Sequence, residues 1–342
     1  MTWTTLLAPH HATFSEGRVS GLATREATLQ HLSGNAILVP LSHLGLIRFS
    51  GEESLSFLQG QLSSDIAKLD GAHAQLSSYS TPKGRMLASF LALRDGEDVL
   101  LQLYGELQAT IQKRLAMFIL RAKTRASDAS ADLPCLGLAG PAARTLLQAR
   151  YGDLTLANEY TQANTTTGIR IVSLPGDAFH LFVPAEQLAE TWQALTAAGA
   201  LPADSWAWEL QQIRTGTPWV SGKTQEEFVP QMANLELIGG VSFSKGCYPG
   251  QEIVARTQYL GKTKRRMLRV SIAAEHVEAG QSVYSPGLAD QAAGMVMLAA
   301  PGESGLCEAL VVARTDLQEQ GLHLGQADGP LLQTLPLPYV LA

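Results

Sequence analysis

The run Lys245-Gly246-Cys247-Tyr248-Pro249-Gly250-Gln251-Glu252 gathers a thiol, an ammonium group and a carboxylate within eight residues. Glycine tolerates positive φ and proline fixes its own, so this composition reads as a tight loop. A cation nearby favours the thiolate, the form of cysteine that attacks or ligates. Cys247 is therefore a candidate nucleophile or sulfur ligand, with Lys245 as the group that helps ionise it. The plainer reading of a loop cysteine, a small apolar side chain without chemistry, stays open at this point. Glu252 and Arg256 stand four apart; on a helix they would share a face, and an ion pair between them would orient the loop.

The chain holds three cysteines. Cys135 follows Pro134 and opens the apolar run Leu136-Gly137-Leu138-Ala139, and Cys307 lies beside Leu306 in a strand-like segment, so both read as core residues. The three are scattered and no CxxC pair exists, which argues against a disulfide framework, a structural zinc site or a self-ligated iron–sulfur cluster. No metal site is expected. A reducing cytosol suits this cysteine usage, and cytoplasmic location is the expectation.

Other segments tempt a ligand reading. Gly261-Lys262-Thr263 suggests a phosphate loop, but the position where the first glycine belongs holds Arg256. Gly137-Leu138-Ala139-Gly140-Pro141 lacks the GxGxxG pattern, and a helix opening near Pro141 explains it. Lys262, Lys264, Arg265, Arg266 and Arg269 form a basic run: either a solvated surface or an attractor of a polyanion such as RNA phosphates or a polyglutamate tail. No aromatic residue interleaves with it, so base stacking is not supported. Trp206 and Trp208 lie two apart on a helix capped by Asp204 and point to different sides. One suits the core, and the other could face a flat ring.

These residues need a scaffold of more than one domain, which 342 residues and 46% hydrophobic content supply. A net charge of −6 argues against general nucleic-acid binding. Met1–Ala12 carries no Lys or Arg, unlike a signal peptide, and no run is long enough to span a membrane. Residues 1–35 read as an irregular arm, and residues 37–49 as strand. Ser50-Gly51-Glu52-Glu53 resembles a capping box before a helix carrying Leu55, Leu58 and Leu62. Residues 75–93 form two strands around Thr81-Pro82-Lys83-Gly84, followed by a strand over 98–104. Four-residue apolar spacing predicts a helix over 105–122. A hairpin turns at Pro175-Gly176-Asp177, and a helix covers 188–195. Beyond Gly261, short alternating segments separated by Gly and Pro suggest a small β-barrel.

Several segments resemble, in order, those of the YgfZ family: Phe57-Leu58-Gln59-Gly60-Gln61-Leu62-Ser63-Ser64-Asp65, Ser80-Thr81-Pro82-Lys83-Gly84-Arg85-Met86, Phe228-Val229-Pro230-Gln231 with Asn234-Leu235, the cysteine loop continued through Arg256, and the tail Leu335-Pro336-Leu337-Pro338-Tyr339. That family comprises folate-binding proteins tied to iron–sulfur enzymes and tRNA modification, built like the T-protein (aminomethyltransferase) of the glycine cleavage system. The resemblance implies an α+β fold: a three-domain, T-protein-like ring ending in a C-terminal β-barrel. Its parts would be residues 1–125 completed by about 204–262, residues 126–203, and residues 263–342.

The implied ligand is tetrahydrofolate or a derivative. Trp208 matches a folate-associated tryptophan of the family, and Leu44 stands where the family has another. Tyr248 would cap the pocket, with Gln251, Glu252 and Arg256 beside it. The aspartate pair that serves methylene transfer in aminomethyltransferase falls on Ala88 and Ser89, neither of which ionises in the useful range. The resemblance thus implies an accessory factor for assembly or repair of iron–sulfur enzymes, including tRNA-modifying ones, with folate as cofactor or sensor and Cys247 as the reactive group. Its partners would be folate and iron–sulfur clients, with an indirect link to tRNA and no membrane. The alternatives are a folate-dependent one-carbon transferase, and a non-catalytic partner-binding protein in which Cys247 is incidental.

Overall fold

The computed structural model describes residues 2–260, 263–288 and 291–341. The fold is α+β, and the chain divides into two compact units, each assembled from separated stretches.

The first unit comprises Met1–Ser54, Lys68–Gln75 and Leu91–Gln211. Its main sheet has six strands in the order Gln162–Asn164, Arg170–Leu174, Ala178–Phe182, Cys135–Ala139, Ile37–Pro40, Leu201–Pro202. All neighbours are antiparallel except the last pair. Cys135–Ala139 and Ala178–Phe182 are buried along their whole length, as expected of central strands. Leu147, Leu188, Trp192 and Leu195 from the helices Ala143–Tyr151 and Leu188–Ala197 join Leu136, Leu138, Phe179 and Leu181 in one core. Residues 1–35 are more regular than an arm. They hold the helices Trp3–Leu7 and Arg25–Gly34 and a hairpin pairing Thr13–Ser15 with Arg18–Ser20. Thr24 caps the second helix by accepting from the Ala27 N–H at 3.3 Å.

Residues 37–49 make two strands, Ile37–Pro40 and Leu44–Ser50. The second lies between Asp98–Tyr104 and Arg125–Asp128. The helix over 105–122 ends early, at Ala116. Met117, Phe118 and Leu120 beyond it are exposed, so the apolar spacing there reports no buried face. The capping box does not form either: Ser50 ends a strand, and the next helix runs from Ser54 to Gln59.

The second unit comprises Leu55–Ala67, Leu76–Phe90 and Gln212–Ala342. Strands Gln75–Ser80 and Met86–Asp95 flank the turn at Thr81–Gly84, as predicted. The C-terminal sheet is six-stranded and antiparallel, in the order His323–Leu324, Ser282–Tyr284, Gly294–Pro301, Cys307–Arg314, Arg265–Ile272, Leu332–Leu335. It curls into a half-barrel around Leu268, Val270, Val283, Val296, Ala309 and Val311.

Most of the basic run lies on the strand Arg265–Ile272, and its members are partly spent within the fold. Arg266 pairs with Glu236, and Arg269 with Glu308 at 2.7 Å. Lys262, like the Gly261 of the rejected phosphate loop, lies outside the described residues. Among the described residues no helix is long and apolar enough to cross a membrane, and no cluster of His, Cys, Asp or Glu suits a metal ion.

Candidate functional site: a pinned cysteine loop

Lys245 enters the loop with its side chain turned inward. Its ammonium donates to the carbonyls of Leu62 at 2.6 Å and Ser64 at 2.8 Å, and sits 5.2 Å from the Tyr248 ring centroid. Burial lowers its pKa to about 8, against the opposing pull of Asp65. The lysine is thus a clamp on the Leu62–Asp65 segment, with two of its three donors committed to main-chain oxygens.

Tyr248 is buried under that ammonium, and burial pushes its phenol up to about 12. Among the described residues its hydroxyl has no hydrogen-bond partner. Two residues on, Gly250 adopts φ +83°, and its backbone lies against the turn at Thr81–Gly84. A Cβ on Gly250 would stand 2.6 Å from the Thr81 carbonyl oxygen and 2.7 Å from the Gly84 Cα. The helix Gln251–Leu260 follows directly, and Gln231 holds it by donating to the Val254 carbonyl at 2.6 Å. Three segments singled out in the sequence therefore meet the stretch 245–254: residues 62–65, 81–84 and 231.

Between the pins at Lys245 and Tyr248 the chain reaches solvent. Gly246 and Cys247 are exposed, whereas Cys135 and Cys307 are buried. Burial pushes the Cys135 thiol up to about 12, so it stays protonated. Cys247 is the accessible thiol of the described chain, as its setting predicted. Glu252 and Arg256 lie on the helix and are exposed, but among the described residues no ion pair joins them, so their charges remain in solvent. Gln251 is half-buried at the first turn.

The clamp gives Lys245 a structural role distinct from activating the thiol. Lys245→Met keeps the stem and removes the charge-assisted bonds, and it should cost about 2–3 kcal/mol in urea unfolding. The rate of Cys247 labelling at fixed pH should stay within about twofold of wild type. A tenfold slower rate in a still-folded variant would mark the ammonium as the source of thiolate instead.

Trp208 and Leu44 belong to the first unit. Trp208, on the helix Ser205–Arg214, is 2% exposed and Trp206 half-buried. The Trp208 indole lies 4.9 Å from the His180 ring at an interplanar angle of 30°. It also covers Gly137, where a Cβ would fall 2.4 Å from the indole carbon Cε3. This corrects the expectation of an open aromatic wall, because the ring is core packing. Among the described residues the buried indole N–H has no hydrogen-bond partner, nor has either nitrogen of His180. Burial lowers His180 to about 3, so its imidazole is neutral. The Asp204 carboxylate, just before this helix, accepts from the Leu22 N–H at 2.8 Å. Leu44 is half-buried at the start of its strand and lines a cavity of about 260 Å³.

The positions of the absent aspartates are committed to the fold. Ala88 is fully buried, and the Ser89 hydroxyl accepts from the Val220 N–H at 2.9 Å. No carboxylate stands there to manage a proton.

Comparison with known proteins adds three findings. The GCVT N-terminal domain family matches residues 13–241, a span that stops short of the cysteine loop. The chain is 30% identical over 308 residues to the "tRNA-modifying protein YgfZ" of Colwellia psychrerythraea, covering 89% of this chain and 93% of that one. It is also 30% identical over 309 residues to the protein of the same name from Klebsiella pneumoniae, with the same coverage. Among solved structures, the glycine cleavage system aminomethyltransferase T of Bartonella henselae superposes with a TM-score of 0.78 over 98% of this chain and 96% of that one. At 15% identity, that likeness speaks to fold alone.

Proposed function

The chain belongs to the YgfZ family and carries the family's GCVT domain, and from that premise we propose that it is a folate-binding accessory protein supporting assembly or repair of iron–sulfur enzymes, tRNA-modifying ones among them. The observation that carries this reading is the loop: a thiol held in solvent by buried anchors on either side, in a chain whose other two cysteines are buried. Such a thiol suits transient ligation of sulfur or iron at a client surface, and a single cysteine cannot retain a cluster by itself. The cytoplasm is the proposed compartment, since free thiols persist there.

Folate is the proposed cofactor, and bound tetrahydrofolate would supply a reduced pterin able to carry a one-carbon unit. The residues fit a polar-edged ring. Within the first unit, Leu44 would offer an apolar wall and Trp208 its unpartnered indole N–H.

The fold favours one second reading, a one-carbon transferase related to aminomethyltransferase. Ala88 and the committed Ser89 weigh against it. Calorimetry should therefore detect reversible tetrahydrofolate binding, while an aminomethyl-transfer assay should give no turnover above background. Transfer at about 1 s⁻¹ or faster, within the ordinary enzyme range, would favour the transferase.

A further inference from the structure

We propose that the turn Met117–Leu120, with the cations that flank it, docks a partner protein whose contacting face is apolar and ringed by acidic side chains. The inference rests on the accessory-factor reading, in which that partner is a client enzyme.

The turn follows the helix Gly105–Ala116, which buries Leu107, Ile111 and Leu115. At the helix end the apolar side chains come out into solvent: Met117 is 62% exposed, Phe118 50% and Leu120 89%. Single exposed apolar residues are ordinary on a protein surface, but three within four positions make a patch, and such patches mark contact sites. The backbone beneath them is closed rather than frayed. The N–H groups of Met117, Phe118 and Ile119 donate to the carbonyls of Lys113, Leu115 and Ala116 at 3.2, 3.0 and 3.2 Å, and the Ala122 N–H donates to that of Ile119 at 2.7 Å. Leu120 sits at φ +44°, a left-handed conformation that is unfavourable for an L side chain. The leucine holds that conformation while exposed, so no burial of its own offsets the strain.

The flanking charge names the partner. Lys113, Arg121 and Arg125 are exposed, and among the described residues none of them joins an ion pair. Lys123, between the two arginines, is already matched by Glu52 at 2.6 Å. Lys113 also suits the C-terminal end of its helix, but Arg121 and Arg125 lie beyond it. The chain as a whole carries a net charge of −6, so the segment is a local reversal of sign. An acidic rim on the partner would complement it. Met, Phe and Arg are residue types enriched where proteins meet. A lipid surface is typically met by Trp or Tyr, and residues 113–125 contain neither.

The test uses the full chain and the purified iron–sulfur enzyme whose activity falls furthest when the gene is deleted. Calorimetry should show binding to wild type that weakens as salt rises, as complementary charge requires. Phe118→Ser combined with Leu120→Asn, and separately Arg121→Glu combined with Arg125→Glu, should each weaken binding at least about tenfold, as loss of central interface contacts implies. Asn tolerates a left-handed backbone better than Leu does, and all four positions are exposed, so both variants should keep the wild-type melting temperature and Cys247 labelling rate. Binding by either variant within about twofold of wild type, or no binding by a wild type that restores the enzyme in cells, overturns the docking surface and leaves the accessory reading standing. Flotation of wild type, but not of the variants, with vesicles of equal phosphatidylglycerol and phosphatidylethanolamine would assign the turn to a lipid surface and overturn the proposal as well. If deletion of the gene lowers the activity of no iron–sulfur enzyme, the accessory reading falls and takes this inference with it.

Discussion

Gly250→Ala is expected to destabilise the protein by about 3 kcal/mol and to release the cysteine loop. Gly250 sits at φ +83°, where an L side chain costs about 1–2 kcal/mol. The added methyl would also press on the Thr81 carbonyl oxygen and the Gly84 Cα at well under 3 Å, and both are backbone atoms that cannot swing aside. Overpacking of that kind costs about 1–3 kcal/mol more. Gly246 is the control within the same loop. Its φ is not in the left-handed region, and a Cβ there would meet no atom within 4 Å, so Gly246→Ala should stay within about 0.5 kcal/mol of wild type. Urea unfolding of the two variants measures the contrast. Equal stabilities would mean that the contact between the loop and the Thr81–Gly84 turn does not hold the loop in place.

That contact illustrates what was legible in the sequence and what was not. The loop itself was readable, because glycine and proline act on their own backbone and announce it locally. The strands around Thr81–Gly84, the hairpin at Pro175–Asp177 and the C-terminal strands were readable for the same reason: period and punctuation are local. The partners of Lys245 were not. They are two main-chain carbonyls more than 180 residues away, and a carbonyl carries no residue-type signal. The lysine therefore read as an activator of its neighbour Cys247, although its ammonium clamps a distant segment.

Trp208 shows the same limit from the other side. Its importance was legible, but the surface it covers was not, because Gly137 and His180 lie on strands remote in sequence. A glycine within an apolar strand was the available signal. Paired with a distant tryptophan, it marks a ring lying flat on backbone. At the N-terminus the failure had a different cause. The helix Arg25–Gly34 has no apolar stripe wide enough to be heard as a period, and only its Thr24 cap and its burial of Thr28 and Leu32 mark it.

In the proposed function the exposed thiol acts, rather than the fold around it. The most direct test is deletion of the gene in its host, with assay of several iron–sulfur enzymes, tRNA-thiolating ones included, followed by rescue with wild type or Cys247→Ser. Serine is nearly isosteric, and Cys247 is exposed, so the variant should match wild type in melting temperature and in tetrahydrofolate binding. Wild type should restore the enzyme activities, and Cys247→Ser should leave them at least about tenfold lower, near the level of the deletion. Full rescue by Cys247→Ser at equal expression would contradict the account and leave the cysteine an incidental surface residue.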